Sequence, residues 1–399
     1  MPTPLGRGSA VAVGRRLFAG AGGGSGGGSG GGSGGGSGGG SGGGSGFPVT
    51  LTDGFAQPLV VDALIRSRDG TIDPTNVGAS VAGVPTNTNV PDLKRWESWV
   101  RTYLGVQELL EPLAFVLPDA PLVKLDDRTV ELYCLGTAPS ANHASGSVQL
   151  SSQPVARIRR PNNQVFVSQI PLVLNWAALR AERSSEILAQ IDNQYAFWGM
   201  VVPFHNGRMR YTMDLIELVI QFAVFVESRF KHELSCWRPA DISAQVQPMI
   251  TTPGHSSLPC GHCTQGYATA HVLATLIGAG PNDPRALQLQ RLADRFSTNR
   301  VVAGVHFPVD NLAGRMLGQT LGEYVVGRFA PGTSWTARSF NGSDALLPNA
   351  DFKPFSQNLD DGTTTFYQKM NATPQSFTQP SAILAKLWDE AWLECAYLR

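Results

Sequence analysis

The sequence predicts a mainly α-helical protein, a helix bundle preceded by a loop-rich region with a little β-structure, and three observations predict it. After Pro171, apolar residues recur at helical spacing over 172–198, 209–235, 261–277, 284–296 and 309–329. Before that, from Phe47 to about Pro161, Pro- and Gly-rich loops dominate, with one helical pattern at 92–110 and one alternating run, Thr129-Val130-Glu131-Leu132-Tyr133, that reads as a strand. The chain has 399 residues and is 42% hydrophobic, enough to bury a substantial core.

Composition shifts divide the chain into four parts: 1–46, an N-terminus and linker; 47–161, a loop and helix region; 162–335, the helix bundle; and 336–399, a C-terminal extension. Residues 22–46 repeat Gly-Gly-Gly-Ser, with no side chain to bury and a large backbone entropy to lose, so they are read as a flexible tether outside the fold. Upstream, Arg15-Arg16-Leu17-Phe18 shares the paired arginines of an export signal, but glycine replaces the apolar core that should follow. The last helical pattern, 381–397, carries Leu384, Leu387, Trp388, Ala391 and Trp392 as a stripe that should dock on the bundle. Small residues on the helix after His262 (Gly266, Ala268, Ala270, Ala274) would let neighbouring helices approach closely.

Thirty-one basic residues balance thirty-one acidic ones, so no global field draws the chain to nucleic acid or an anionic membrane. Any anion site must be local. The longest apolar stretch, 218–226, is far short of the roughly twenty residues that cross a bilayer, and the protein is read as soluble, with its location and a homodimer both left open. Five cysteines at irregular spacing do not describe a disulfide framework.

Three segments concentrate cations, glycine and histidine in a chain that is only 16% charged. In Lys231-His-Glu-Leu-Ser-Cys-Trp-Arg238-Pro239, Lys231 and Arg238 are two helical turns apart and can serve one oxyanion, the lysine as a point charge and the arginine as a planar fork. Leu258-Pro259-Cys260-Gly261-His262-Cys263 opens a helix, with Pro259 at its first position, free amides to bind an anion, and His262 able to exchange a proton. In Ser297-Thr298-Asn299-Arg300-Val-Val-Ala-Gly304-Val-His306-Phe-Pro-Val-Asp310, Asp310 can fix the tautomer of His306 and leave its other nitrogen basic, as nucleophile or metal ligand. Singly, each segment also reads as a basic helix end, a well-started helix or a capped core histidine. Their conjunction is hard to explain as packing.

Together these residues resemble the superfamily of vanadium-dependent haloperoxidases and type 2 phosphatidic acid phosphatases. Its signature runs Lys, six residues, Arg-Pro; then Pro-Ser-Gly-His; then Ser-Arg, three residues, Gly-x-His, three residues, Asp. Lys231, Arg238 and Pro239 match the first part, Pro259, Gly261 and His262 the second, and Arg300, Gly304, His306 and Asp310 the third. The resemblance implies a helix bundle of the haloperoxidase/acid phosphatase type in which Lys231, Arg238, the Gly261 amide and Arg300, with Cys260 at the family's serine position, hold the oxygens of vanadate or phosphate. It implies His306 as axial vanadium ligand or as nucleophile, oriented by Asp310, and His262 as general acid/base. His255 falls where the family's bromoperoxidases have histidine. The first reading is therefore a vanadate-dependent haloperoxidase oxidising halide, bromide above chloride, with hydrogen peroxide. The second is a soluble acid phosphatase acting on a phosphate ester.

Three departures bear on the choice. Cys260 replaces a good hydroxyl donor with a weak one and puts an oxidisable sulfur beside any peroxide. Asn299 stands for the family's other serine, and Ser228 stands where haloperoxidases have tryptophan. A reading of another class is a thiol–disulfide oxidoreductase built on Cys260 and Cys263, whose helix-start position would lower a thiol pKa. A zinc site from Cys260, Cys263, His255 or His262 has spacing too tight for a finger. His205 and Arg208 read as solvated loop residues, His232 as surface or supporting, and Trp237 as core. Three clustered cations need a carboxylate besides Asp310, and Glu182, Glu186, Glu227 and Glu233 are all candidates.

Overall fold

The computed structural model describes residues 58–73, 75, 93–94, 96–118, 128–134 and 153–399, apart from 193, 206, 331, 372–373 and 378–380. The glycine repeat and the paired arginines lie outside the described residues. Helices α1 (Pro58–Thr71) and α2 (Ser98–Leu110) precede the bundle, which comprises α3 (Asn163–Trp176), α4 (Arg180–Asp192), α5 (Arg210–Leu234), α6 (Gly261–Leu276), α7 (Pro284–Val302) and α8 (Pro308–Phe329). Helix α9 (Ala382–Glu394) closes the chain. The protein is mostly helical, as its apolar periodicity predicts.

The ends of these helices follow from local chemistry. Asp283 caps α7 by accepting from the Arg285 N–H at 2.8 Å, with Pro284 at the first helical position, where a missing N–H costs nothing. Helix α5 is capped from a distance: the Glu394 carboxylate on α9 accepts from the amides of Tyr211 and Thr212 at 2.9 and 2.7 Å. The same α9 buries Leu384, Leu387, Trp388 and Ala391 and stacks Trp388 on Phe329 with centroids 5.7 Å apart, so the docking stripe is a packed face.

Helices α6 and α8 bury almost every residue and have no polar face, which places them at the bundle's centre. They touch at backbone level: a Cβ at Gly318 of α8 would overlap the Thr264 carbonyl and sit 3.0 Å from Thr264 Cα of α6. Among the described residues no helix is long and apolar enough to cross a membrane.

Three expectations change. The stretch 172–198 is not one helix, since α3 starts at the Asn162 cap and runs through Pro171. A 3-10 turn at Ala177–Leu179 then separates α3 from α4, where the Arg180 guanidinium binds the carbonyls of Val246, Gln247 and Val302. Helix α7 runs on past Phe296 to Val302, which puts Arg300 in its last turn. The β-structure is not confined to the N-terminal region. Strands β1 (Leu113–Val116), β2 (Thr129–Cys134) and β3 (Ala156–Arg159) pair antiparallel in sequence, β4 (Ser334–Trp335) pairs with β7 (Gln375–Ser376), and β5 (Arg338–Asn341) and β6 (Tyr367–Lys369) complete the larger sheet in the order β1-β2-β3-β5-β6. The parallel β3–β5 pairing sets Ile158 opposite Phe340 and ties the segment before the bundle to the segment after it.

Candidate active site

Helix α5 ends at Ser235, whose left-handed φ of 46° turns the chain and whose N–H still bonds the Lys231 carbonyl at 3.0 Å. Lys231 thus lies in the last turn, and its ammonium donates to the carbonyls of Ser256 (3.4 Å), Ser257 (3.2 Å) and Pro259 in the loop leading to α6. Beyond the turn, Arg238 is extended and its own N–H is held by Asp241 at 2.8 Å. Its buried guanidinium joins the loop before α6 to the third segment. Nε donates to the His255 carbonyl at 3.0 Å, Nη1 to the Val305 carbonyl at 2.7 Å and to His306 Nε2 at 3.0 Å, and Nη2 to His255 Nδ1 at 3.0 Å.

Cys260 is the N-cap of α6 and Gly261 its first residue, so Pro259 precedes the helix instead of opening it as the sequence suggested. The Cys260 side chain makes no capping hydrogen bond, and its N–H donates to the Asp310 carbonyl at 2.9 Å, joining the second segment to the third. The first-turn amides of α6 have no intrahelical acceptor and present partial positive charge at the same place.

His306 is buried with both ring nitrogens engaged. Nδ1 donates to Asp310 Oδ2 at 2.9 Å, and Nε2 accepts from Arg238. Arginine can only donate, so the bond pattern assigns the proton to Nδ1 and the lone pair to Nε2. Asp310 Oδ2 also accepts from the Phe307 N–H at 2.9 Å, and Oδ1 from the Ser257 hydroxyl at 3.3 Å. Burial pushes Asp310 up to about 6, against these donors and the nearby Arg238 and Lys231. Burial and then the Arg238 and Lys231 charges hold His306 well below the ordinary imidazole value. His262 is held low in the same way, by burial and then by Arg300, with Lys231 and Arg238 contributing. Both imidazoles are therefore neutral before any anion arrives.

Arg300 is 1% exposed, yet its Nε and Nη1 have no hydrogen-bond partner. Only Nη2 is engaged, with the Ile187 carbonyl and Gln190 Oε1, both at 3.2 Å. Buried guanidinium N–H groups without acceptors are costly, and such a cost is expected where a ligand oxygen supplies the acceptor. Burial lowers Arg300 to about 10, still a cation at neutral pH.

Gln190 was not legible as a site residue from sequence. Its carbonyl accepts from His262 Nε2 at 3.1 Å. Its side-chain oxygen accepts from Asn299 at 2.9 Å and Arg300, and its amide donates to Glu186 at 2.9 Å. It reads in sequence as an ordinary glutamine on an amphipathic helix.

Lys231, Arg238, Cys260, Gly261, His262, Arg300, His306 and Asp310 are all buried in one cluster where the C-terminal ends of α5 and α7 meet the N-terminal ends of α6 and α8. His255 is exposed at its edge, and burial of its inner side together with the Lys231 and Arg238 charges pushes it down to about 4. Among the candidate carboxylates, Glu186 pairs with Arg295 and Glu233 with Arg229, Glu182 is exposed, and Glu227 is buried beside Gly261. His205, Arg208 and His232 are exposed, and so is Trp237 at 58%, against the expectation that it is core. The alternation of buried Cys236 and Arg238 in extended chain turns the residue between them outward.

The cysteine pair does not suit thiol exchange. Cys260 and Cys263 are fully buried, burial pushes Cys260 up to about 12 and Cys263 well above the ordinary thiol value, and Cys263 Sγ donates to the Asn311 carbonyl at 3.2 Å. Exchange needs an accessible thiol with a lowered pKa. Among the described residues no group of three or more His, Cys, Asp or Glu side chains is placed to hold a metal ion, so the zinc reading finds no ligand set.

Residues 215–328, from the second turn of α5 to the end of α8, match the family model for the PAP2 superfamily. A similar solved structure is the transmembrane PAP2-type phosphatidylglycerolphosphate phosphatase from Bacillus subtilis, at 21% identity over 39% of this chain and 92% of that one, with a TM-score of 0.25. No curated protein matches the chain.

Proposed function

We propose, from the match of residues 215–328 to the family model for the PAP2 superfamily, that the protein is a phosphatase-type enzyme that hydrolyses a phosphate ester through His306. The observation that carries this reading is the fixed tautomer of His306, with Nδ1 on Asp310 at 2.9 Å and the Nε2 lone pair turned into the cation cluster beside Arg238 at 3.0 Å.

A phosphoryl group seated among Arg238, Arg300, Lys231 and the opening amides of α6 places phosphorus before His306 Nε2. The unpartnered Nε and Nη1 of Arg300 gain acceptors, and charge developing on the equatorial oxygens meets fixed donors that need no reorganisation. Arg238 shifts its Nη1 hydrogen bond from His306 Nε2 to a phosphoryl oxygen. As the freed lone pair bonds phosphorus and the ester P–O bond breaks, the ring becomes cationic and Asp310 stabilises it through Nδ1. His262, held by Gln190 through Nε2, presents Nδ1. It is neutral in the free site, and the negative charge of the substrate favours its protonation, so it can pass a proton to the leaving oxygen. The neutral ring then takes a proton from the water that cleaves the phosphohistidine.

The donor set also fits vanadate: the same cations and amides would hold its oxygens and His306 Nε2 the metal, which would supply activation of hydrogen peroxide for halide oxidation. We put this reading second, the reverse of the order expected from sequence, on the PAP2 superfamily match and on Cys260. The Cys260 side chain, fully buried beside the Lys231 charge, puts an oxidisable sulfur next to where the peroxide-activating group would sit and offers that group only a weak donor.

Hydrolysis of p-nitrophenyl phosphate without added metal, with a covalent phosphohistidine trapped on quenching and both lost in His306→Ala, is the expected result. Bromide oxidation with vanadate and hydrogen peroxide, in the absence of phosphatase activity, restores the haloperoxidase.

A further inference from the structure

Glu227 lies one helical turn before Lys231 on the same face of α5 and is 5% exposed. Its carboxyl rests against the start of α6 so closely that a Cβ at Gly261 would overlap Oε1, and the glycine is what admits it. Oε1 accepts a hydrogen bond from Gln265 Nε2 at 3.2 Å. Oε2 is buried with no hydrogen-bond partner, and Lys231 directs its ammonium to the carbonyls of the 256–259 loop. An acidic side chain thus stands inside a site built for an anion, with one oxygen free.

The groups facing this carboxyl are Lys231 from its own helix, Arg238 and the Cys260 thiol from the segments that follow, and the Gln265 amide from α6. With no ligand bound, a carboxylate here offsets the cations. When a tetrahedral anion enters, two negative groups share one buried cluster, and like charges so placed cannot both stay ionised.

We propose that Glu227 takes up a proton as the oxyanion binds and, as a neutral carboxyl, donates from Oε2 toward the anion, so that ligand entry is coupled to protonation of this residue. The inference rests on the oxyanion reading above. Burial already raises Glu227 above the ordinary carboxyl value, against Lys231, Gln265 and Arg238, so little further shift is needed near neutral pH. The consequence is specificity by charge and pH. The site favours a tetrahedral anion accompanied by a proton and loses affinity as the solution becomes alkaline.

Sulfate is the clean probe, because it does not itself titrate near neutrality. Calorimetric titration of the full chain with sulfate, in buffers of differing ionisation enthalpy between about pH 6 and pH 8, counts the protons exchanged. The wild type is expected to take up protons on binding, and Glu227→Gln about one fewer near pH 7, with an affinity that falls up to about tenfold less per pH unit. A wild type that binds sulfate with no proton uptake overturns the proposal without reference to any variant. So does a folded Glu227→Gln protein with the wild-type proton count, including one that binds more tightly at every pH with an unchanged slope, which is the signature of a permanently charged counter-ion. Arg238→Ala and Arg300→Ala separate the two levels. If either keeps wild-type affinity, or if neither sulfate nor phosphate binds at all, the oxyanion reading fails and this proposal with it. If both lose binding while Glu227→Gln keeps the wild-type linkage, only the role of Glu227 fails.

Discussion

At the scale of single residues, the 2.9 Å bond from His306 to Asp310 sets which nitrogen is nucleophilic. Replacing Asp310 with Asn keeps the size but offers Nδ1 either a poorer acceptor or a donor, and the second choice moves the ring proton to Nε2. The phosphatase reading therefore predicts that Asp310→Asn lowers kcat by roughly 10³–10⁴-fold, the scale at which a wrong tautomer disables a histidine, while phosphate, measured as a competitive inhibitor, binds within a few-fold of normal. Parallel loss of both would mean that Asp310 chiefly holds the loop through Ser257 and Phe307. Cys260 supplies a second prediction. It is fully buried, its thiol stays protonated, and it caps nothing. Cys260→Ser introduces a strong donor of nearly the same shape, worth about 1 kcal/mol when paired, so phosphate inhibition should tighten about fivefold and sensitivity to peroxide should fall. An unchanged inhibition constant would show that this side chain does not face the anion.

At the scale of elements, α4 is the part of the site that sequence did not reveal. The long helices were legible because apolar residues at 3.6-residue spacing report burial whatever lies opposite, and the clustered Lys231, Arg238, His262, Arg300, His306 and Asp310 stood out in a weakly charged chain. What periodicity cannot report is which neighbour an ordinary polar residue meets. Glu227 was one of four equivalent glutamates until α6 was placed against α5. Gln190 carried no signal, β5 was unreadable because its partner β3 lies over 150 residues away in sequence, and β6 joins the sheet only through β5. The Gln190 network is testable by Gln190→Ala, which removes the side-chain acceptor of Arg300 and Asn299 but keeps the carbonyl that holds His262. KM should rise by about tenfold, the cost of one charge-assisted hydrogen bond, with kcat less affected. In an Arg300→Ala background the same change should add little, since the residue acts through the guanidinium. Core geometry gives an independent check. Gly318→Ala forces a methyl into the Thr264 backbone, and urea unfolding should show a loss of about 1–3 kcal/mol, as for other overpacked contacts.

At the scale of the whole molecule, the buried cluster shapes stability against pH with two opposing signs. His262, His306 and His271 are all held below the ordinary imidazole value, by burial first. Their contribution is complete above an unfolded pKa of about 6.5 and is lost on acidification, by about 1.4 kcal/mol per pH unit for each proton that only the unfolded chain binds. Asp294 and Asp310 are raised to about 6 by burial, and Glu227 is raised as well. A raised carboxyl costs stability above its folded pKa, and the cost is relieved as pH falls toward the unfolded value of about 4. Between about pH 6 and pH 4 three carboxyls therefore gain what the three buried histidines lose, His255 at the exposed edge adds only a screened loss, and the slope stays shallow. Below about pH 4 the carboxyls bind protons in both states and the histidine loss stands alone. It is joined there by Glu186 and Glu323, which Arg295 and Arg338 hold low against the effect of burial. Urea midpoints should consequently dip slightly from pH 7 to pH 6, stay level to about pH 4.5, and then collapse. A steady decline across the whole interval would mean that the three carboxyls titrate near their ordinary values.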